Sequence, residues 1–165
     1  EQLRTILIII VSVSIFGLLV FVFVKNYIKN KLNYYLNVKN NINYKLTCHC
    51  NKIEIDVKLV DGLNNLYRCN CSICKRKGAI TAVIPKNNLK ILKGENQLKF
   101  YQFNTNVAKH YFCTNCGIYT HNQRRADPNT YGINVGCLNG VTEDELFKFK
   151  VRINDGHNHI LDRKK

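Results

Sequence analysis

The chain contains no methionine and only 2 prolines in 165 residues. So few prolines exclude a proline-rich or collagen-like architecture. Because the chain opens on Glu1 and has no methionine, residue 1 is not expected to be the native start. Acid is scarce: 11 Asp and Glu stand against 25 Lys and Arg, a formal net charge of +14. Such a surface favours anionic partners: nucleic acid, acidic lipid headgroups or a small polyanion. No tandem repeat, base-reading motif or phosphate-cradling loop is found. Sequence-specific nucleic-acid binding is therefore not expected, and contact with an acidic polymer would be electrostatic and salt-sensitive. The chain is 45 % hydrophobic and 22 % charged, which excludes wholesale disorder. Its length suits about one domain.

Charge is missing altogether from residues 5–24, TILIIIVSVSIFGLLVFVFV. A helix of that length matches the ~30 Å hydrocarbon core of a bilayer. The run is longer than the apolar core of a signal peptide and lacks a small-residue cleavage site. The expectation is one transmembrane helix over 5–24. Lys25, Lys29, Lys31 and Lys39 follow it and only Arg4 precedes it. Positive flanks stay inside, so the expectation is a single-pass membrane protein with a cytosolic C-terminal domain. Residues 25–43 read as a juxtamembrane linker. Ile28, Leu32, Tyr35 and Leu36 share one helical face, and Tyr27, Tyr34 and Tyr35 suit headgroup level. The Asn-rich 37–43 stretch equally suits a flexible tether.

Residues 44–165 form the expected domain, and their pattern is extended. Ile53, Ile55, Val57 and Leu59 alternate with Glu54, Asp56 and Lys58, the period of a half-buried strand, and Asp61-Gly62 is a turn signal. Further strands are expected over 79–84, 89–92, 98–103, 109–112, 118–121 and 131–135. One short helix is expected near 142–147, opened by a capping box with Thr142 as N-cap and Glu145 reaching back. The fold class is therefore mainly β.

Seven of 8 cysteines fall in three clusters: Cys48-His49-Cys50, Cys69-Asn70-Cys71-Ser72-Ile73-Cys74 and Cys113-Thr114-Asn115-Cys116, while Cys137 stands alone. Residues at i and i+2 of an extended strand point the same way, so C-x-C presents two thiolates to one ion. C-x-x-C in a tight turn does the same, and Gly117 suits the left-handed step of such a knuckle. Zinc takes four ligands in a structural site, and three plus an open position in a catalytic one. One partition places Cys48, Cys50, Cys113 and Cys116 on a closed site and Cys69, Cys71 and Cys74 on an open one. Another pairs Cys71 and Cys74 with Cys113 and Cys116, leaving Cys48, Cys50 and Cys69. Disulfides in a secreted chain are the remaining reading. Cys137 reads as a small buried residue.

These clusters, with Phe112 and Gly117 flanking the third, resemble glutathione-dependent formaldehyde-activating enzymes and centromere protein V. The stretch Tyr101-Gln102-Phe103-Asn104-Thr105 before His110-Tyr111-Phe112-Cys113 looks especially like centromere protein V. So do Gly132-Ile133, Cys137-Leu138 and Asp155-Gly156. The resemblance covers about residues 45–160. It implies a β-tent zinc-binding fold, here preceded by the expected transmembrane helix, and two zinc ions. Cys48, Cys50, Cys113 and Cys116 would hold the structural ion; Cys69, Cys71 and Cys74 would hold the catalytic one. It further implies a carbon–sulfur lyase joining formaldehyde and glutathione to S-hydroxymethylglutathione. The family usually has Gly where this chain has Asn51, and Asn tolerates the left-handed region better than most residues.

The chemistry also follows from the residues. Zinc lowers the pKa of a thiol while leaving the sulfur nucleophilic, and formaldehyde is a small electrophile. Arg68, Lys75, Arg76 and Lys77 bracket the second cluster and are candidates to hold the carboxylates of glutathione or another small thiol. His49 and His110 are the imidazoles nearest the clusters in sequence, read first as packing or supporting residues. His121, His157 and His159 read as surface residues. The competing function is a non-catalytic zinc module related to centromere protein V that binds chromatin, microtubules or another acidic surface. A third is an adaptor held against anionic lipid.

Overall fold

The computed structural model describes residues 2, 4, 17–29, 31, 42–159 and 161. The chain divides into two units, Glu1–Lys39 and Asn40–Lys165. In the first, residues 17–29 form helix α1. In the second, the described strands are β1 (Ile42–Thr47), β2 (Glu54–Leu59), β3 (Leu66–Cys69), β4 (Thr81–Pro85), β5 (Leu89–Lys93), β6 (Leu98–Tyr101), β7 (Lys109–Cys113), β8 (Tyr119–Gln123), β9 (Thr130–Asn134) and β10 (Val151–Asn154). Two short helices accompany them, α2 (Cys74–Lys77) and α3 (Glu143–Lys148).

The transmembrane helix expected over residues 5–24 is corrected. Residues 5–16 lie outside the described residues. Among the described residues no helix is long and apolar enough to cross a membrane. Helix α1 rises only about 20 Å against a hydrocarbon core of ~30 Å, and its final residues include Lys25 and Lys29. The single-pass membrane localisation, the cytosolic orientation and the membrane as a partner all rested on that span and go with it. Of the helical face expected in the linker, Ile28 lies on α1. Leu32, Tyr35 and Leu36 lie outside the described residues, as does Tyr34.

The mainly β expectation is met by the second unit. Strands β1, β2 and β5 form one sheet in that order; the other runs β10-β3-β4-β9-β8-β7-β6. Strand β2 shows why its sequence alternates: Ile55, Val57 and Leu59 are buried while Asp56 and Lys58 face water. Its antiparallel pairing with β1 sets Leu46 opposite Ile55 and Thr47 opposite Glu54, and an ion pair between Lys45 and Glu54 at 2.6 Å crosses the same ribbon. A bridge between Leu46 and Leu138 connects β1 to the segment after β9. Leu46, Ile55 and Leu59 pack with Leu66, Ile84, Ile133 and Val135 in one core. At about 25 cal/mol per Å² of apolar burial, such packing is the main drive for closing the sheets.

Strands β3 and β10 escape local pattern. Both have 4 residues, too few for periodicity to show, and they pair in parallel, Leu66 with Val151 through Cys69 with Asn154. This long-range pairing delivers the 154–159 segment to the second cysteine cluster.

Candidate metal centres and their cavity

The first centre is built by two knuckles. Strand β1 ends at Thr47, and the chain turns through Cys48 to Asn51, whose N–H donates to the Cys48 carbonyl at 2.9 Å. Asn51 takes φ of +56°, the left-handed step its side chain tolerates. The second knuckle closes β7: the Gly117 N–H donates to the Cys113 carbonyl at 2.8 Å, with Gly117 at φ +73°. The sulfurs of Cys48, Cys50, Cys113 and Cys116 all lie within 4.8 Å of one another. Cys48 and Cys50 sulfurs are 3.5 Å apart, and those of Cys50 and Cys113 3.7 Å. Four sulfurs tetrahedrally placed at ~2.3 Å from zinc would be about 3.8 Å apart, so this donor set fits the ion. The Ile53 N–H donates to the Cys48 sulfur at 3.3 Å. The Lys52 N–H, above all, brings the Cys50 thiol down to about 6, favouring the thiolate a metal needs.

The second centre gathers Cys69, Cys71 and Cys74, again with sulfurs within 4.8 Å of one another. Cys69 ends β3, Cys71 opens a turn, and Cys74 begins α2, where the Lys75 N–H donates back to the Cys71 carbonyl at 3.0 Å. Hydrogen bonds with Cys69 and then Cys74 draw the Cys71 thiol strongly down, while those with Cys69 and then Cys71 push Cys74 up. One thiolate is thus shared by three sulfurs, and three soft donors suit zinc. All eight cysteines are free thiols, and the alternative grouping of Cys71 and Cys74 with Cys113 and Cys116 is not the one the fold assembles.

The segment after β10 covers this triplet. Asn70 Nδ2 donates to Asp155 Oδ1 at 3.0 Å, and the His157 N–H donates to Asn70 Oδ1 at 2.8 Å. Asn158 closes the loop, its N–H and Nδ2 each 3.1 Å from the Asp155 carboxylate. These donors, Asn70 first, bring the Asp155 carboxyl down to about 2. Gly156 lies between the clasp and the sulfurs.

Beside the triplet opens a cavity of about 270 Å³, lined by Cys71, Cys74, Phe103, His110, Arg124 and Arg125 among others. His157, exposed as expected, and His159, half-buried rather than at the surface, line it too; His159 Nδ1 lies 3.2 Å from Arg125 Nη2. Arg124 Nη1 donates to Thr130 Oγ1 at 3.1 Å. Of the four cations expected around the substrate, none lines this cavity. Arg68, Lys75 and Arg76 are exposed, and the Arg76 guanidinium caps the Ser72 carbonyl. Lys77 turns inward, its Nζ 3.6 Å from the centre of the Tyr119 ring and 3.0 Å from His110 Nδ1. Burial brings Lys77 down to about 8 against the raising pull of Cys74 and Cys71. Burial and then the Lys77 charge take His110 down to about 4. The cavity cations missed by sequence reasoning, Arg124 and Arg125, sit where the chain leaves β8. Their only local signal is an Arg-Arg pair before Asp127-Pro128.

The remaining candidates sit elsewhere. His121, also expected at the surface, is only 2 % exposed; its ring stacks on Tyr111 at 4.4 Å, and burial lowers it to about 3. It lies at the centre of a sheet, where β8 pairs with both β7 and β9. His49 is exposed and borders a separate cavity of about 350 Å³ with Cys48 and Cys137. Cys137 is buried, accepts from Asn134 Nδ2 at 3.3 Å, and is pushed up to about 12 by that burial.

Residues 43–153 match the family model described as glutathione-dependent formaldehyde-activating enzyme. Two fungal proteins, both named "Putative glutathione-dependent formaldehyde-activating enzyme", are similar. The Emericella nidulans protein is 28 % identical over 81 residues, 47 % of this chain and 41 % of that protein. The Phaeosphaeria nodorum protein is 29 % identical over 79 residues, 46 % of this chain and 41 % of that protein. The chain thus spans less than half the length of these curated relatives. A crystal structure of a Rhodobacter sphaeroides protein is 46 % identical, with a TM-score of 0.63, covering 67 % of this chain and 99 % of that one. With more than half its residues inside the family model, the chain belongs to the glutathione-dependent formaldehyde-activating enzyme family.

Proposed function

We propose that this chain is a zinc-dependent carbon–sulfur lyase that joins glutathione and formaldehyde to S-hydroxymethylglutathione, or runs the reverse reaction. The observation that carries the reading is a triplet of thiols, Cys69, Cys71 and Cys74, beside a cavity with two arginines in its wall. In this reading Cys48, Cys50, Cys113 and Cys116 hold a structural zinc that ties the β1 knuckle to the β7 knuckle. Cys69, Cys71 and Cys74 would hold the second ion. Zinc there supplies the Lewis acidity that ionises a substrate thiol at neutral pH.

The chain's own residues do the rest. Arg124 and Arg125 offer guanidinium groups to substrate carboxylates. Arg68, Lys75 and Arg76, exposed next to the triplet in the chain, add positive charge that speeds the arrival of an anionic thiol. The substrate sulfur attacks the formaldehyde carbon, a C–S bond forms, and the C=O π pair moves to oxygen, which then takes a proton. A purely structural zinc module, the competing expectation, needs no three-ligand site beside a cavity.

The test is metal analysis on the full chain with thiol–formaldehyde turnover measured above the uncatalysed rate. Two zinc ions leaving in two steps under graded chelator, turnover falling with the first, support the reading. Loss of both ions in one glutathione-insensitive step, or zinc-loaded protein without turnover, overturns it.

A further inference from the structure

The proposed reaction leaves one step without a residue, protonation of the new oxygen, and the cavity wall holds a group suited to it. His110 is only 6 % exposed yet lines the cavity beside Cys71 and Cys74. Its Nδ1 lies 3.0 Å from the Lys77 ammonium. An ammonium can only donate, so Nδ1 accepts and the ring proton sits on Nε2. Among the described residues no buried side-chain nitrogen lacks a hydrogen-bond partner. Among the described residues only Nδ1 of His110 has a hydrogen-bond partner, so Nε2 is not sealed, and the opening His110 lines is the cavity. Phe103 lies nearly parallel to the ring, 6.0 Å between centres.

Among the described residues no carboxylate pairs with Lys77. Its ammonium rests on the Tyr119 ring at 3.6 Å, and the Tyr119 hydroxyl is itself committed to Asn122. Burying an ammonium without an acid is costly; the Cys74 and Cys71 thiols offset part of that cost, and the group the ammonium touches is the imidazole.

Resting on the lyase reading above, we infer that His110 is its catalytic proton donor and that Lys77 is a positioning residue which holds His110 as the Nε2–H tautomer and replaces its proton. As the sulfur–carbon bond forms and the carbonyl pair moves to oxygen, the Nε2 proton passes to that oxygen. A Lys77 ammonium proton passes to Nδ1, so no imidazolate forms. His110 ends neutral with its proton on Nδ1, Lys77 ends as the free amine, and both reset by exchange with water. The proton lost when the substrate thiol ionises equals the one gained by the hydroxymethyl group, so the sum balances with no further reactant.

The test has two arms. In the first, nitrogen-15 NMR of the full chain reads the His110 tautomer without any substrate. The expected result is protonated Nε2 with bare Nδ1 in the native protein, retained in Lys77→Arg and lost to a mixture in Lys77→Met. A native ring protonated on Nδ1, or a tautomer unmoved in Lys77→Met, overturns the positioning role. In the second arm, exchange NMR measures glutathione–formaldehyde turnover. His110→Gln should lose about 100-fold with zinc content and glutathione binding unchanged, Lys77→Met should lose as much, and Lys77→Arg should recover part. If His110→Gln does not fold, Lys77→Met decides alone. Full turnover in either folded variant overturns the catalytic role while leaving the lyase reading intact. Native protein without turnover overturns the lyase reading and this role with it.

Discussion

Gly156 lies so close to Cys69 that a β-carbon at residue 156 would overlap the Cys69 sulfur and press on the β-carbon of Cys71. The glycine is needed here for space, not for its backbone angles. The Asn70–Asp155 hydrogen bond anchors the residue before it. Gly156→Ala must therefore push the sulfur off its position or lift the loop. The expected outcome is a fall in zinc affinity at the triplet of about 10-fold or more, the size seen when supporting groups around a metal are disturbed. The four-cysteine site should keep its ion and the melting temperature should move little. Competition with a graded chelator followed by metal analysis checks this. Unchanged affinity at the triplet would show that the loop yields freely.

The two clusters should differ in what they do for folding. Cys48 and Cys113 are buried, at 1 % and 0 % exposure, and belong to the main core. Cys69, Cys71 and Cys74 are half-buried at the edge of a cavity. Cys113→Ser or Cys48→Ser should abolish cooperative unfolding, because structural zinc contributes about 10 kcal/mol or more of folding free energy. Cys71→Ser should keep the far-ultraviolet circular dichroism and cooperative melting of the native chain but bind one ion fewer. Equal disruption by both changes would remove the distinction between the centres.

Helix α3 carries a pH-dependent term. Thr142 Oγ1 accepts from the Glu145 N–H at 3.3 Å, and the Thr142 N–H donates to Glu145 Oε2 at 2.8 Å. The Thr142 N–H and hydroxyl hold the Glu145 carboxyl below its ordinary 4.5. A lowered folded-state pKa stabilises above the unfolded value and is lost as pH falls through the folded one. Glu145→Ala should therefore speed amide exchange at Thr142 at neutral pH, and the difference from native should shrink as acid protonates the carboxyl. Thr142→Ala should cost about 1 kcal/mol of local stability. A Glu145→Ala effect independent of pH would mean that the carboxylate charge plays no part.

The capping box, the alternation of β2 and the left-handed steps at Asn51 and Gly117 were all legible in the chain, because each is decided by neighbours within a few residues. So was the clustering of cysteines by C-x-C and C-x-x-C spacing, since short spacings fix which sulfurs share a side. The apolar run over 5–24 misled for the same reason: composition reports hydrophobicity, whereas crossing a bilayer requires one continuous helix, and the described helix α1 is too short for it. Strand β10 is invisible locally because its partner β3 lies more than eighty residues earlier in the chain. That pairing, with the Asn70 hydrogen bonds to Asp155 and His157, brings Gly156, His157 and His159 to the triplet. Arg124 and Arg125 enter the cavity through the β7–β8–β9 register, while the basic residues beside the triplet in sequence stay outside it. Local chemistry settled which sulfurs lie together in each knuckle. Which cations, imidazoles and glycine lie near the cysteine triplet depended on strand pairings across most of the chain, which burial of the shared core selects and no short window of sequence contains.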